Sequence, residues 1–243
     1  MSRMATIKGA QDGFFHWNHP EYMVEVLTNP EDYADQVAIS IHGDGSISEK
    51  RLWTKALPAM SHLREIHFGY RPIMAGVAEL HSVEHLNYSI AKIQTLEPLK
   101  HLRCIRSFNL ERATSLRDPH VIGEWTELEC LALQNIKALH EIEWIAKLPK
   151  IRHLRINGSM WTTQKLQSLK PLASLPTLEW VELRNCKVED KESIFVLAEL
   201  PNLKTFISAE YWPRGHLTRL SEMRPDMTIN EARYPNIEEV RKR

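Results

Sequence analysis

Apolar residues recur at every third position over long stretches of the chain. The clearest run begins at Ile136 and continues without a break to Leu154. Further runs with the same spacing begin at Leu57, Val77, Ile90, Leu166 and Ile194. A period of three fits neither the 3.6-residue period of a long amphipathic helix nor the two-residue period of an alternating strand. It is typical of short helical or 3₁₀ turns that lead directly into a brief strand.

These runs align into an internal repeat. Its copies begin 19 to 27 residues apart, at Leu63, Val83, Leu102, Leu128, Ile151, Leu178 and Leu203. Proline stands just before three of the aligned segments, at Pro149, Pro176 and Pro201. Because proline ends a helical turn and favours extended backbone, it marks a transition from turn to strand. The alternative, an ordinary domain of leucine-rich helices, does not explain why proline recurs at this point.

The pattern apolar-x-x-Leu-x-x-Leu-x-x-Leu-x-Leu resembles the leucine-rich repeat family. The resemblance covers about residues 57–210, with half-repeats at 37–41 and 227–229. It implies an α/β solenoid with a curved parallel sheet on the concave side and short helices or 3₁₀ turns on the convex side. The family's usual Asn or Cys, eight positions after the first Leu, is matched only by Cys186. We therefore expect irregular turns and a mostly missing asparagine ladder.

The repeat pattern also predicts how the chain is organised. We expect a single domain over residues 1–243, because neighbouring repeats share one continuous core. Residues 1–33 are predicted to form an N-terminal cap, since Phe14, Phe15 and Trp17 supply apolar bulk that could seal the first repeat. Residues 34–229 hold about seven full repeats and the terminal half-repeats, and residues 230–243 form a polar tail.

Composition narrows the function classes. The chain has 31 Lys+Arg and 31 Asp+Glu, so it lacks the basic surplus of a protein that coats nucleic acid. No apolar run approaches the ~20 residues of a membrane span, and the first residues contain no secretory signal. Three cysteines are too few for a disulfide framework. These features predict a soluble cytoplasmic protein, monomeric when unbound, with neither nucleic acid nor membrane as partner.

The sequence contains no recognised catalytic motif. There is no phosphate-binding glycine loop, no His-Glu-x-x-His, no Cys-x-x-Cys and no Gly-x-Ser-x-Gly. The pair His16 and His19 has metal-ligand spacing, but two surface histidines explain it as well.

The repeat alignment places His85, Cys104, Cys130 and His153 in one line across adjacent strands. Parallel strands lie ~4.8 Å apart, whereas zinc needs four ligands within ~2.3 Å of one point. We therefore predict no metal and no other cofactor. Two alternatives remain: Cys104 and Cys130 hold a metal with one histidine, or they form a disulfide on oxidation.

Outward-facing positions of the later repeats combine a large aromatic side chain with fixed charges. They alternate with core positions on their strands, so strand geometry turns them away from the core. Trp, Tyr and Arg dominate the energetics of protein interfaces. The predicted binding residues are His153, Arg155, Trp180, Glu182 and Arg184, with Trp161, Tyr211 and Trp212 as an aromatic rim on the loops. Two alternatives stay open: the charges are merely solvated with Trp180 lying flat over them, and Trp161 belongs to the core.

These observations favour a non-enzymatic protein that binds another protein through its concave face. An inhibitor or immunity-type protein that blocks its partner fits best. The alternatives are an adaptor or an effector secreted without a classical signal. A further alternative is an enzyme whose concave site uses His153, Glu182 or the cysteines.

Overall fold

We describe the structure from a computed structural model, which covers residues 37–41, 47–69, 74–89, 92–208 and 211–231. The predicted N-terminal cap (1–33), with its two histidines, lies outside these ranges. So do residues 232–243 of the predicted tail.

Eleven strands form in the described residues. Their bounds are β1 Ala38–Ile41, β2 Glu65–Phe68, β3 His85–Tyr88, β4 Ser107–Glu111, β5 Cys130–Gln134, β6 His153–Asn157, β7 Gln164–Leu166, β8 Trp180–Glu182, β9 Cys186–Val188, β10 Thr205–Ile207 and β11 Thr228–Asn230. Nine of them make one parallel sheet in the order β1-β2-β3-β4-β5-β6-β8-β10-β11, and β7 pairs with β9 in a second sheet. The outermost strands of the large sheet coincide with the two predicted half-repeats.

Short helical segments connect the strands. The α-helices are α1 Ile47–Ala56, α2 Met74–Ala78 and α3 His216–Met223. The 3₁₀ segments are Leu57–Ala59, Glu97–Leu99, His120–Glu124, Glu143–Lys147, Lys170–Ser174 and Lys191–Glu199. Successive segments pack against one another along the chain, as the strands do. The sheet lies on one side and the short helices lie on the other, which is the arrangement of the predicted leucine-rich repeat solenoid.

The apolar positions of the repeat fill one continuous core between the sheet and the helical segments. On five strands the repeat alignment turns two apolar residues inward, and all of them are buried: Ile66/Phe68, Leu86/Tyr88, Leu131/Leu133, Leu154/Ile156 and Val181/Leu183. In the earlier repeats the core is aromatic, since Phe68 stacks on Tyr88 and Phe108 meets Trp125 edge to face. The period of three thus identified the core correctly.

The predicted register was wrong in one repeat. Ser107 of β4 pairs with His85 and with Cys130, so this strand starts three residues later than the alignment on Leu102 implies. Ile105 takes the first apolar position of the repeat. Leu102 and Ile105 are both buried, and a pattern with a period of three looks the same after a shift of three residues.

The shift changes two predicted positions. Phe108, which the alignment turned outward, lies in the core. Cys104 precedes the strand and is exposed, and Ser107 stands between His85 and Cys130 in its place. Cys104 is therefore not the neighbour of Cys130 across the sheet, and both alternatives that joined these two thiols lose their geometric basis.

A glutamine takes over part of the missing asparagine ladder. The buried Gln164 side chain accepts a hydrogen bond from the Ile136 N–H at 3.1 Å and donates one to the Leu139 carbonyl at 2.7 Å. Ser193 has a similar role further along the solenoid, where its hydroxyl oxygen accepts a hydrogen bond from the Leu169 N–H at 2.9 Å. Both side chains satisfy backbone groups that the turn leaves unpaired in the core.

Charges of alternating sign line the edge where the strands begin. We call this row the charge ladder; its members are Arg64, Glu84, Arg106, Glu129, Arg152, Glu179 and Lys204. Neighbouring members form ion pairs, for example Arg152 with Glu179 at 2.7 Å and Lys204 with the same carboxylate at 3.4 Å. Exposed pairs stabilise the fold little. Their alternation places an acid beside each base, with four basic and three acidic members in all.

Candidate functional site

The predicted binding residues of the later strands lie side by side on the sheet. His153 is the direct neighbour of Trp180, which in turn neighbours Thr205. Arg155 is the direct neighbour of Glu182 in the next row. Strands β6, β8 and β10 therefore bring the predicted residues into one surface, as the repeat register requires.

Glu182 is a buried charge that positions two arginines. Only 4% of its surface is exposed, and its Oε1 accepts a hydrogen bond from Asn157 Nδ2 at 2.6 Å. The same oxygen lies 3.2 Å from Arg184 Nε and 3.7 Å from Arg155 Nε. One carboxylate thus faces two guanidinium groups, so the cluster has one positive charge in excess. The arginine side chains keep 29% and 36% of their surface exposed, and they can reach a partner where Glu182 cannot.

The loops that follow β6, β8 and β10 are joined by one asparagine. Asn185 donates a hydrogen bond to the Ser159 carbonyl, and its Oδ1 accepts from Thr163 Oγ1 at 3.0 Å and from Tyr211 Oη at 3.1 Å. A side chain at Gly158 would collide with the backbone carbonyl of Asn185, which explains the glycine there. The three loops are therefore held to one another at the end of the sheet.

These joined loops expose large apolar side chains. Trp161 is 71% exposed, Tyr211 46% and Met160 38%. We call these three residues the apolar cluster. Trp161 is thus a surface residue, and the alternative that placed it in the core is wrong. Met160 and Asn185 are not among the residues predicted from the sequence; the turn sequence Asn-Gly-Ser at 157–159 was the available signal for a protruding loop.

Trp212 has a different environment from the other predicted rim residues. It is half-buried, packs against the core and donates its Nε1–H to Ser208 Oγ at 2.9 Å. Lys191 Nζ lies 5.4 Å from the centre of its ring. These contacts hold Trp212 against its own loop and against the preceding repeat, so we assign it to support of the loop. Trp180 is also half-buried, between His153 and Thr205 on the sheet.

Cys130 and His153 are neighbours on the same surface. Cys130 Sγ lies 3.4 Å from His153 Nδ1, the residue types and distance of a nucleophile beside a base. Burial, with a smaller effect of the nearby Glu129, raises the pKa of Cys130 to about 11. Burial also lowers the pKa of His153. An activated cysteine needs the opposite, a lowered thiol pKa. The pair is therefore a neutral hydrogen-bonded contact.

Two further findings apply to the part of the chain that the structure describes. It contains no group of three or more His, Cys, Asp or Glu side chains arranged to hold a metal ion. It also contains no helix with the length and apolar character needed to cross a bilayer.

Comparison with known proteins supports the fold alone. No protein-family model matches the sequence, and no curated protein matches it. Among solved structures, internalin C2 of Listeria monocytogenes has a TM-score of 0.52 at 20% identity, covering 72% of this chain and 72% of its own. A second internalin of that organism, inlF, has a TM-score of 0.56 at 15% identity, covering 84% of this chain and 62% of its own. The chain has the leucine-rich repeat fold.

Proposed function

We propose that this chain is a non-enzymatic protein that holds another protein against the concave face of its last repeats and blocks it, as an inhibitor or immunity-type protein does. The observation that carries the proposal is the apolar cluster of Met160, Trp161 and Tyr211, whose loops are joined by Asn185, the residue that follows Arg184. Exposed aromatic residues next to arginine are the composition of interface hot spots.

The way the cluster is held supports the same proposal. Asn185 fixes the Trp161 and Tyr211 loops to each other through side-chain hydrogen bonds. Ordering of loops on binding costs free energy, and a surface that is already ordered avoids that cost. Burial of Trp161 by a partner would then contribute most of its hydrophobic free energy to affinity.

The chemistry of the concave face supports binding rather than catalysis. The thiol of Cys130 has a raised pKa, and the carboxylate of Glu182 is buried against Arg184 and Asn157. Neither group is in the state that a nucleophile or an exposed general base requires. A protein that acts by occupying a partner's surface needs no such group.

Affinity capture from the native cell, followed by affinity measurement with the captured protein, tests the proposal. Trp161→Ala should weaken binding by about 2 kcal/mol, roughly 30-fold in Kd, because it removes an exposed anchor. Arg184→Glu should weaken it similarly through the reversed charge. Trp161→Ala should melt near the wild-type temperature, since its side chain is exposed. Arg184→Glu removes a counter-charge of the buried Glu182 and should melt lower, so its affinity is measured well below its melting temperature.

Met223→Ala is the matched control, because Met223 is 47% exposed on α3, away from the proposed surface. It should leave both affinity and melting temperature unchanged. Wild-type affinity in Trp161→Ala and in Arg184→Glu would show that the partner binds elsewhere. A captured protein that remains fully active in the complex would count against the blocking role.

A further inference from the structure

Three lysines lie in a row beside the proposed binding surface. Lys165 of β7 is the direct neighbour of Lys187 of β9 in the parallel pair. Lys137 belongs to the adjacent repeat, whose Ile136 N–H is bonded to the side chain of Gln164. All three lysines are exposed. We call them the lysine row.

The lysine row has no neutralising acids. None of its three ammonium groups lies within 4.0 Å of a carboxylate of any described residue. Like charges directly opposite each other on paired strands are unfavourable, so the Lys165–Lys187 pair works against the fold. On the opposite edge of the sheet, the charge ladder places an acid beside each base. Each base of the charge ladder thus has an acid beside it, whereas Glu189, which follows Lys187 by two residues, pairs with His140 and not with a lysine of the row.

The lysine row is continuous with the apolar cluster. Lys165 follows Trp161 by four residues, and Lys187 follows Asn185, the residue that ties the loops together, by two. On the sheet side, the arginines around Glu182 add one positive charge. The joined loops that carry the apolar cluster are therefore adjacent in the chain to basic residues, with Arg184 directly before Asn185 and with Lys165 and Lys187 after the loops.

We propose that the lysine row binds carboxylates of the partner, so that the partner presents an acidic polypeptide segment with an apolar side chain for the apolar cluster. This inference rests on the proposed function and adds the chemistry of the partner to it. Charge complementarity selects the acidic partner, and the Trp161 side chain selects one with an apolar anchor.

A polypeptide fits these dimensions better than a nucleic acid or a membrane. The lysine row spans about two strand spacings, roughly 10 Å, and ends at apolar residues. A binder of the phosphate backbone carries a longer basic track and usually a net positive charge. This chain has 31 basic and 31 acidic residues.

Fluorescence anisotropy with labelled peptides tests the inference. One probe of about twelve residues alternates glutamate and leucine, and its matched analogue has glutamine in place of glutamate. At low salt the wild-type protein should bind the acidic probe at least about tenfold more tightly than the glutamine probe. The double variant Lys165→Gln/Lys187→Gln should lose that preference. The control Lys92→Gln/Lys150→Gln removes two exposed lysines from other parts of the chain and should keep it.

Melting temperature separates this role from a structural one. Lys187→Glu replaces a like-charge pair with an opposite-charge pair, so it should melt at or above the wild-type temperature while it binds the acidic probe more weakly. A clear drop in melting temperature for this variant would show that the lysines serve the fold, and it would overturn the inference.

Three binding results would also overturn it. One is equal affinity for the acidic and glutamine probes; another is equal losses in the two double variants. The third is tighter binding of a single-stranded oligouridylate or of a phosphatidylserine vesicle than of the acidic peptide, with a dependence on the same lysines. If the lysine variants bind the captured partner normally while Trp161→Ala does not, the inference fails and the proposed function stands. If Trp161→Ala and Arg184→Glu both bind that partner normally, the proposed function fails whatever the peptides do.

Discussion

Hydrogen bonds between polar side chains connect neighbouring strands along the concave face. Asn109 of β4 donates a hydrogen bond to Asn87 of β3 at 2.8 Å. The His67 ring of β2 lies 2.8 Å from the hydroxyl of Ser89, which follows β3. Asn87 and Asn109 are almost fully buried. Buried polar groups need such partners, and a fully bonded network favours one arrangement of the strands. The position of a polar residue on this face therefore does not make it a binding residue; its side chain must also be exposed.

The environments of the three free cysteines predict an order of alkylation. Cys104 is exposed, Cys130 is half-buried and Cys186 is buried. Burial raises the pKa of Cys130 to about 11 and that of Cys186 to about 12, so both are almost entirely protonated at neutral pH. With iodoacetamide at pH 7.5, Cys104 should react first, Cys130 much more slowly and Cys186 last, as followed by peptide mass spectrometry.

Denatured protein is the control for that order, since all three thiols should then react at similar rates. If Cys130 reacted faster than Cys104 in the folded protein, the Cys130–His153 pair would be an activated dyad. The enzymatic alternative would then become the better account of the concave face.

At the scale of the repeat element, the Gln164 side chain replaces a ladder residue. It bonds the Ile136 N–H and the Leu139 carbonyl, both in the core. Gln164→Leu would leave both backbone groups buried without partners, at about 1–3 kcal/mol each. We expect the free energy of unfolding in urea to fall by roughly 2 kcal/mol or more.

Gln167→Leu is the matched control for this substitution, because the exposed side chain of Gln167 follows β7 by one residue. It should change stability by only a few tenths of a kcal/mol. Equal stability of Gln164→Leu and the wild type would mean that water or a local rearrangement satisfies the two backbone groups.

The sequence predicted the core well because apolar spacing directly reports which side chains are buried. It placed β4 three residues early because Leu102 and Ile105 satisfy the same period and each is followed by an arginine. What distinguishes the two registers is the pairing of Ser107 with its neighbours across the sheet, a long-range contact. The role of Gln164 is also long-range, since its partners precede it by 25 to 28 residues.

The candidate site was predictable only where it lies on the main sheet. The register of β6 and β8 brought His153, Arg155, Trp180 and Glu182 together as expected. Exposure was not predictable, because it depends on how the loops fold back. Sequence alone could not separate the buried Glu182 from its exposed neighbours. The pairing of β7 with β9, which aligns Lys165 with Lys187, is a long-range contact that the repeat pattern did not predict.

At the scale of the whole molecule, two edges differ in the sign pattern of their charged side chains. The charge ladder alternates in sign along the starts of seven repeats, whereas the lysine row has one sign. In a solenoid each repeat contacts mainly its neighbours, so a local charge pattern persists along the edge without cancelling elsewhere. Zero net charge in this chain is therefore compatible with a strongly directional surface.

The pH dependence of stability is also a property of the whole molecule, since it depends on histidines on separate strands. Burial lowers the pKa values of His85 and His153 below the ordinary value of 6.5. As the pH falls below about 6.5, the unfolded chain binds protons before the folded chain does, so the free energy of unfolding decreases. The melting temperature should therefore fall between pH 7 and pH 5.

The variant His85→Gln/His153→Gln tests this assignment by differential scanning calorimetry, and it should show a flatter pH dependence over that window. His101→Gln, which changes a solvent-exposed histidine, is the control for the substitution itself. The carboxylates with lowered pKa values, Glu179, Asp190 and Asp226, lose their contribution only at lower pH. Burial raises the pKa of Glu65, the neighbour of His85, so protonation of this carboxylate in the folded chain opposes part of the fall. If the double variant kept the full wild-type slope, the acid sensitivity would belong to other groups. The concave face would then admit water and protons more freely than the burial of His85 and His153 implies.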